Sequence, residues 1–110
     1  MKRFIGNHVT VTVDRPLGSR HPKHPDMIYP VNYGYIEGLH APDGEEQDVY
    51  ILGVNEPIEK FEGIVIAVIH RKDDVEDKLV AAPVGMKFTK SEIAAAVEFT
   101  EKYFDSEVIL

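Results

Sequence analysis

The sequence contains no cysteine, which excludes disulfides and thiolate metal centres and removes any pointer to an oxidising compartment. Any metal must therefore be held by oxygen or imidazole. Positive charge is scarce: 12 lysines and arginines stand against 19 aspartates and glutamates, a formal net charge of -7. That balance opposes attraction to phosphate backbones and to anionic lipid, so neither nucleic acid nor membrane is an expected partner. Long apolar runs are missing too. Lys2 and Arg3 have no apolar stretch behind them, and no later segment approaches the roughly 18 apolar residues of a membrane span. A soluble cytoplasmic protein is the expectation.

The residues that are present suit one folded unit. A chain of 110 residues is expected to form a single domain over 1–110, burying roughly two-thirds of its unfolded surface. Val9, Val11 and Val13 alternate with Thr10, Thr12 and Asp14, the period of a half-buried strand. Tyr29 to Ile36 reads as a second strand, with Tyr29, Val31, Tyr33 and Tyr35 on one face and Asn32 on the other. Val49 to Leu52 is short and apolar, and Ile64 to Ile69 is longer and apolar throughout, so both its faces should be covered. Leu79 to Ala82 follows, ended by Pro83 and Gly85. Thr89 with Glu92 makes a capping box, and Ile93, Ala94, Val97, Tyr103 and Phe104 come at mostly helical spacing, giving a helix over Lys90 to Phe104. The tail Glu107 to Leu110 suits either a last strand or an apolar anchor. The expected fold is mostly β, in the α+β class: a small closed or partly open β-barrel of about five or six strands with one C-terminal helix packed outside. An open sheet with the helix on one face is the alternative.

Two acidic clusters precede strands. Asp43-Gly44-Glu45-Glu46-Gln47-Asp48 leads into Val49, and Asp73-Asp74-Val75-Glu76-Asp77-Lys78 leads into Leu79. Crowded carboxylates repel one another unless a cation or a solvated loop relieves them. If both strands neighbour Ile64 to Ile69, the clusters can share one rim and face one pocket, where oxygen ligands select magnesium, manganese or calcium. The plainer reading is that acidic turns merely solvate loop tips. An EF-hand does not fit, because Gly44 directly follows the first acid and Val54 stands where the closing glutamate belongs.

Ser19 to Asp26 places Arg20, His21, Lys23 and His24 among prolines, the one locally basic stretch of an acidic chain. Arg20 can clamp phosphate bidentately while Lys23 acts as a mobile point charge. With Arg15 they stand just ahead of Tyr29 and can fold back over a pocket that Tyr33 lines. His21 and His24 could ligate a metal but read as exposed bystanders, and His70 reads more plainly still. The tyrosines of the second strand form either an aromatic core stripe or a device that points one phenol into a polar site.

Tyr29-Pro30-Val31-Asn32-Tyr33-Gly34-Tyr35-Ile36, the Asp43 to Asp48 run and Lys78-Leu79-Val80-Ala81-Ala82-Pro83 resemble, in order and spacing, motifs of the soluble (family I) inorganic pyrophosphatases. The resemblance covers roughly Tyr29 to Pro83, with a weaker echo at Phe99 and Tyr103. On the family's Asp-x-Asp-x-x-Asp signature it puts Asp43 and Asp48 on metal-binding positions. Glu45, a glutamate here, falls on the acid that helps activate the attacking water. The second acidic loop, Asp73, Asp74, Glu76 and Asp77, would add metal ligands. Tyr33 and Tyr103 match tyrosines that hydrogen-bond phosphate, Tyr33 being counted with the catalytic group, and Lys78 matches an active-site lysine. Three departures stand out: no upstream Lys-x-Glu pair precedes Tyr29, Phe104 takes the place of a lysine, and Arg20 lies beside rather than on the family's arginine.

The resemblance implies a magnesium-dependent hydrolase, with manganese as a substitute, acting on inorganic pyrophosphate or another small diphosphate. A metal-bridging water of lowered pKa would attack phosphorus in line. A non-catalytic phosphate-binding module on the same scaffold is the alternative. The implied partner is a small-molecule substrate, and self-association into a homo-oligomer is expected because small barrels often bury further apolar surface that way.

Overall fold

The computed structural model describes residues 1–74 and 76–110. After a short turn of 3-10 helix at Lys2–Phe4 come β1 (His8–Arg15), β2 (Asn32–His40), β3 (Glu46–Ile51), β4 (Lys60–Arg71), β5 (Asp77–Ala82), α1 (Lys90–Glu101) and β6 (Ser106–Ile109). The sheet order is β1-β2-β3-β5-β4-β6, and β1 also pairs with β4. That extra pairing closes five strands into a barrel and leaves β6 outside on β4. The closed form is thus the one adopted, and the open sheet is not.

Closure depends on β1 serving two neighbours. Its first half, His8 to Thr12, pairs antiparallel with Ile64 to Lys60 of β4, while Thr12 to Arg15 pairs with β2. At the crossover β2 presses against β1, where a Cβ on Gly34 would come within 2.0 Å of the Thr12 carbonyl oxygen. Glycine is therefore required at the centre of the Asn-Tyr-Gly-Tyr run.

Period-2 alternation divides the strands between two apolar layers. Val11, Val13, Val49, Ile51, Phe61, Val65, Val68, Leu79 and Ala81 fill the barrel. Tyr50, Leu52, Ala67, Ile69 and Val80 face outward, where Ile93 and Val97 of α1 and Val108 of β6 cover them. The helix packs outside the barrel, and both faces of β4 are buried, as expected from its composition.

Several element ends differ from the sequence reading. β2 starts at Asn32 rather than Tyr29, since Pro30 has no N–H to give a ladder. α1 ends at Glu101 rather than Phe104. Tyr103 and Phe104 instead make bonds back to Thr100 and Glu101, three residues earlier, the tightened last turn that lets the chain double back into β6. The tail resolves as that strand, pairing Ser106 to Ile109 with Arg71 to Val68. No helix among the described residues is long and apolar enough to cross a membrane.

Candidate active site

β3 and β5 run parallel, with Val49 beside Leu79 and Tyr50 beside Val80. Parallel neighbours begin at the same end of a sheet, so the acids that precede each strand arrive together. One residue before those pairs, Asp48 and Lys78 fall side by side on the outer face. Tyr33 joins them from β2, through the pairing of Tyr33 with Tyr50.

Lys78 is 5% exposed. Its ammonium donates to Asp48 Oδ2 at 2.5 Å, Glu76 Oε1 at 2.6 Å and Tyr33 Oη at 3.0 Å. A buried lysine needs such partners, because an unpaired charge out of water costs several kcal/mol. Burial, followed by the Asp48 charge, holds the Tyr33 phenol well above its usual pKa, so it stays protonated as a donor.

A second charged cluster lies beside the first. Arg71, 4% exposed, donates from Nε to Glu101 Oε1 at 3.0 Å and from Nη2 to Glu101 Oε2 at 2.6 Å. Tyr50 Oη and Ser106 Oγ donate to the same carboxylate at 2.6 and 2.7 Å. The Phe104 ring covers the guanidinium, 3.8 Å from its central carbon. Burial disfavours charge on Glu101, but the hydrogen bonds from Arg71, Ser106 and Tyr50 outweigh it and lower its pKa. Burial likewise opposes charge on Arg71, and the bond to Glu101 overcomes it. Nη1 of Arg71 is left 3.5 Å from Glu76 Oε2 and 3.7 Å from Asp74 Oδ2. Glu76 thus faces both cations, one with each oxygen.

Lys78, Tyr33 and Arg71 open onto a cavity of about 790 Å³, whose other walls come from the His21 to Tyr29 segment and from the Phe99 to Phe104 turn. Buried cations at the base of a concave site suit an anionic ligand.

A sequence model of the inorganic pyrophosphatase family matches residues 9–106. The chain belongs to that family. A relative from Aeropyrum pernix, named an inorganic pyrophosphatase, is 35% identical over 78 residues, covering 66% of this chain. The chain spans 40% of that relative's length. Solved inorganic pyrophosphatases share the fold: that of Neisseria gonorrhoeae matches 89% of this chain and 74% of its own, at 24% identity and a TM-score of 0.65. For that of Coxiella burnetii the shares are 94% and 84%, at 17% identity and a TM-score of 0.70.

Within this pyrophosphatase-family barrel, the acids named from the sequence are held differently from one another. Asp48 and Glu76 meet on Lys78. Asp43 and Glu45 are exposed on the β2–β3 turn, where Asp43 Oδ1 accepts from the Glu45 N–H at 3.0 Å. Asp77 Oδ1 lies 2.8 Å from His70 Nδ1, and Asp73 Oδ1 accepts from the Asp105 N–H at 3.1 Å. Among the described residues no three carboxylate or imidazole groups converge as a metal cluster. Two oxygens on one ammonium are nevertheless able to reach one cation, and an all-oxygen pair suits magnesium or manganese. The donor set fits such an ion in chemistry, with Lys78 standing between the carboxylates.

The basic loop does fold back, but it turns other side chains inward than Arg20 and Lys23. Both are exposed and neither lines the cavity; Arg20 donates to the Pro25 carbonyl at 2.7 Å, which points it along its own loop. His21 and His24 line the cavity instead, as does Tyr103. Arg71, Glu101 and Lys102 escaped the sequence reading. For Glu101 a signal existed: it follows Ile93 and Val97 at intervals of four, an acid on the buried stripe of the helix. For Arg71 the signal was its parity with Ala67 and Ile69 on an apolar strand.

Proposed function

We propose that the protein hydrolyses a phosphoanhydride, inorganic pyrophosphate, with the help of a divalent cation, magnesium or manganese. The observation that carries the reading is the meeting of Asp48 and Glu76 on Lys78, which itself lines the cavity together with Tyr33 and Arg71. Asp48 and Glu76 would hold the cation, with Asp43 and Glu45 on the adjoining turn as further oxygen donors. When bound, it would supply charge neutralisation and a more acidic water.

The chain's own groups do the rest. Glu76 binds Lys78 and approaches Arg71, and would loosen its hold on both cations if it held a metal. Lys78, still beside Asp48, and Arg71, through the Nη1 that Glu101 does not occupy, would then donate to phosphate oxygens, bonds worth roughly 1.5–3 kcal/mol each when charge-assisted. Tyr33, held protonated, donates a further bond. Phe104 and Glu101 fix the guanidinium plane, so little ordering is needed when phosphate arrives. Arg71 thereby takes the phosphate role first expected of Arg20 and Lys23. A cytoplasmic location and self-association belong to the same proposal.

Phosphate release from pyrophosphate, measured with and without magnesium, tests it. Asp48→Asn removes one charge at nearly constant shape, and should lower magnesium-dependent turnover at least about 100-fold while leaving the fold intact. Full activity in that variant would remove Asp48 from the site. A second reading, a phosphate-binding module without turnover, has one observation in its favour: Lys78 already stands between the two carboxylates. Tight pyrophosphate binding with no phosphate release would establish it.

A further inference from the structure

The cavity is larger and more aromatic than an inorganic diphosphate requires. Its volume of about 790 Å³ lies in the roughly 300–1,000 Å³ range of pockets that enclose organic ligands. The two buried cations, Lys78 and Arg71, share Glu76 at one end. From each of them rings lead away along the lining. Beside Lys78 the run is Tyr33, Tyr29, His21 and His24, with successive ring centroids 5.7, 6.3 and 5.0 Å apart. Beside Arg71 it is Phe104, then its sequence neighbour Tyr103. Tyr103 is 65% and Ile28 49% exposed, so large apolar faces stand open on the same cavity. Exposed apolar surface gathered in a concave site marks a place where a ligand binds.

We propose that the site takes a phosphoanhydride whose far end carries a planar heteroaromatic ring, a nucleoside diphosphate or triphosphate. The polyphosphate lies at Lys78 and Arg71, and the base lies against the aromatic runs. This substrate class rests on the hydrolase reading above. Flat rings stack on aromatic side chains, and the imidazoles of His21 and His24 add donors and acceptors that a base edge can use and a hydrocarbon tail cannot. With a nucleoside diphosphate, the water oxygen bonds to the terminal phosphorus and the bridging P–O bond breaks. Its electron pair stays on the departing nucleoside monophosphate, and the water proton passes to solvent.

The test separates the ring from the phosphates. With magnesium present, calorimetry compares α,β-methylene ADP with methylenediphosphonate, which shares the non-hydrolysable diphosphate and lacks the ring. The nucleotide should bind about tenfold tighter or more, as base stacking contributes. His24→Ala, at the outer end of the run, should weaken the nucleotide about fivefold and the diphosphonate less than twofold. Equal affinity for the two ligands, or an equal loss on both in the variant, overturns the inference. Phosphate release is followed in parallel from pyrophosphate and ADP. Pyrophosphate turnover without ring preference in binding sinks the nucleotide site and keeps the hydrolase. Ring-selective binding without turnover of either compound does the reverse.

Discussion

Lys78 and Glu101 each settle a group of opposite charges, and each can be removed singly. Replacing Lys78 leaves Asp48 and Glu76 facing one another without the ammonium that both now bond. Lys78→Met should cost about 3 kcal/mol of stability, because breaking a buried ion pair strands its partners. Magnesium should then raise the melting temperature of the variant more than that of the parent, since the carboxylates no longer share a cation. Equal magnesium shifts in both proteins would separate the metal from these two acids. Glu101 invites a pH experiment. Its pKa in the fold is lowered from 4.5, so the folded state binds fewer protons than the unfolded chain near that pH. Stability from this group is complete above its unfolded pKa and is lost as pH falls through the folded one. Urea midpoints should therefore fall on acidification below about pH 4.5 in the parent, and fall less steeply in Glu101→Gln. That variant should also start about 3 kcal/mol lower at neutral pH, with Arg71 buried and underpartnered.

At the scale of elements, the barrel depends on one close approach and one well-made helix start. A side chain on Gly34 collides with β1 backbone, which cannot move without breaking two ladders. Gly34→Ala should cost about 3 kcal/mol, in the upper part of the range for overpacking. At the other end of the chain Thr89 accepts from the Glu92 N–H at 3.1 Å while Glu92 accepts from the Thr89 N–H at 2.8 Å. Thr89→Ala should cost about 1 kcal/mol, the usual worth of such a cap. Thermal unfolding of both variants checks the pair; a smaller effect at Gly34 than at Thr89 would mean that β1 and β2 can separate cheaply. The helix start was legible because a capping box is local. Its end was not, because the turn at Tyr103 answers to the pairing of β6 with β4 and to the Arg71 guanidinium on Phe104, and both β4 and Arg71 lie far off in sequence.

For the whole molecule, what mattered most was that β3 and β5 became parallel neighbours while β4, between them in sequence, went to the far side of β5. Alternation and apolar runs determined the strands, the buried layers and the outer helix, because burial follows a period of two or about four residues that any stretch carries within itself. Motif spacing likewise singled out Asp48, Glu76, Tyr33 and Lys78, which lie together in the fold. Tertiary structure alone decided which charges meet. Strand register put Asp48 and Glu76 on one ammonium and sent Asp77 to His70. The path of the proline-broken loop brought His21 and His24 to the cavity and left Arg20 and Lys23 in solvent. Arg71 and Glu101 found one another across 30 residues, and that pairing could not be read from the sequence. A buried charged side chain needs a partner beside it, and that partner's identity is fixed by the register and packing of distant segments.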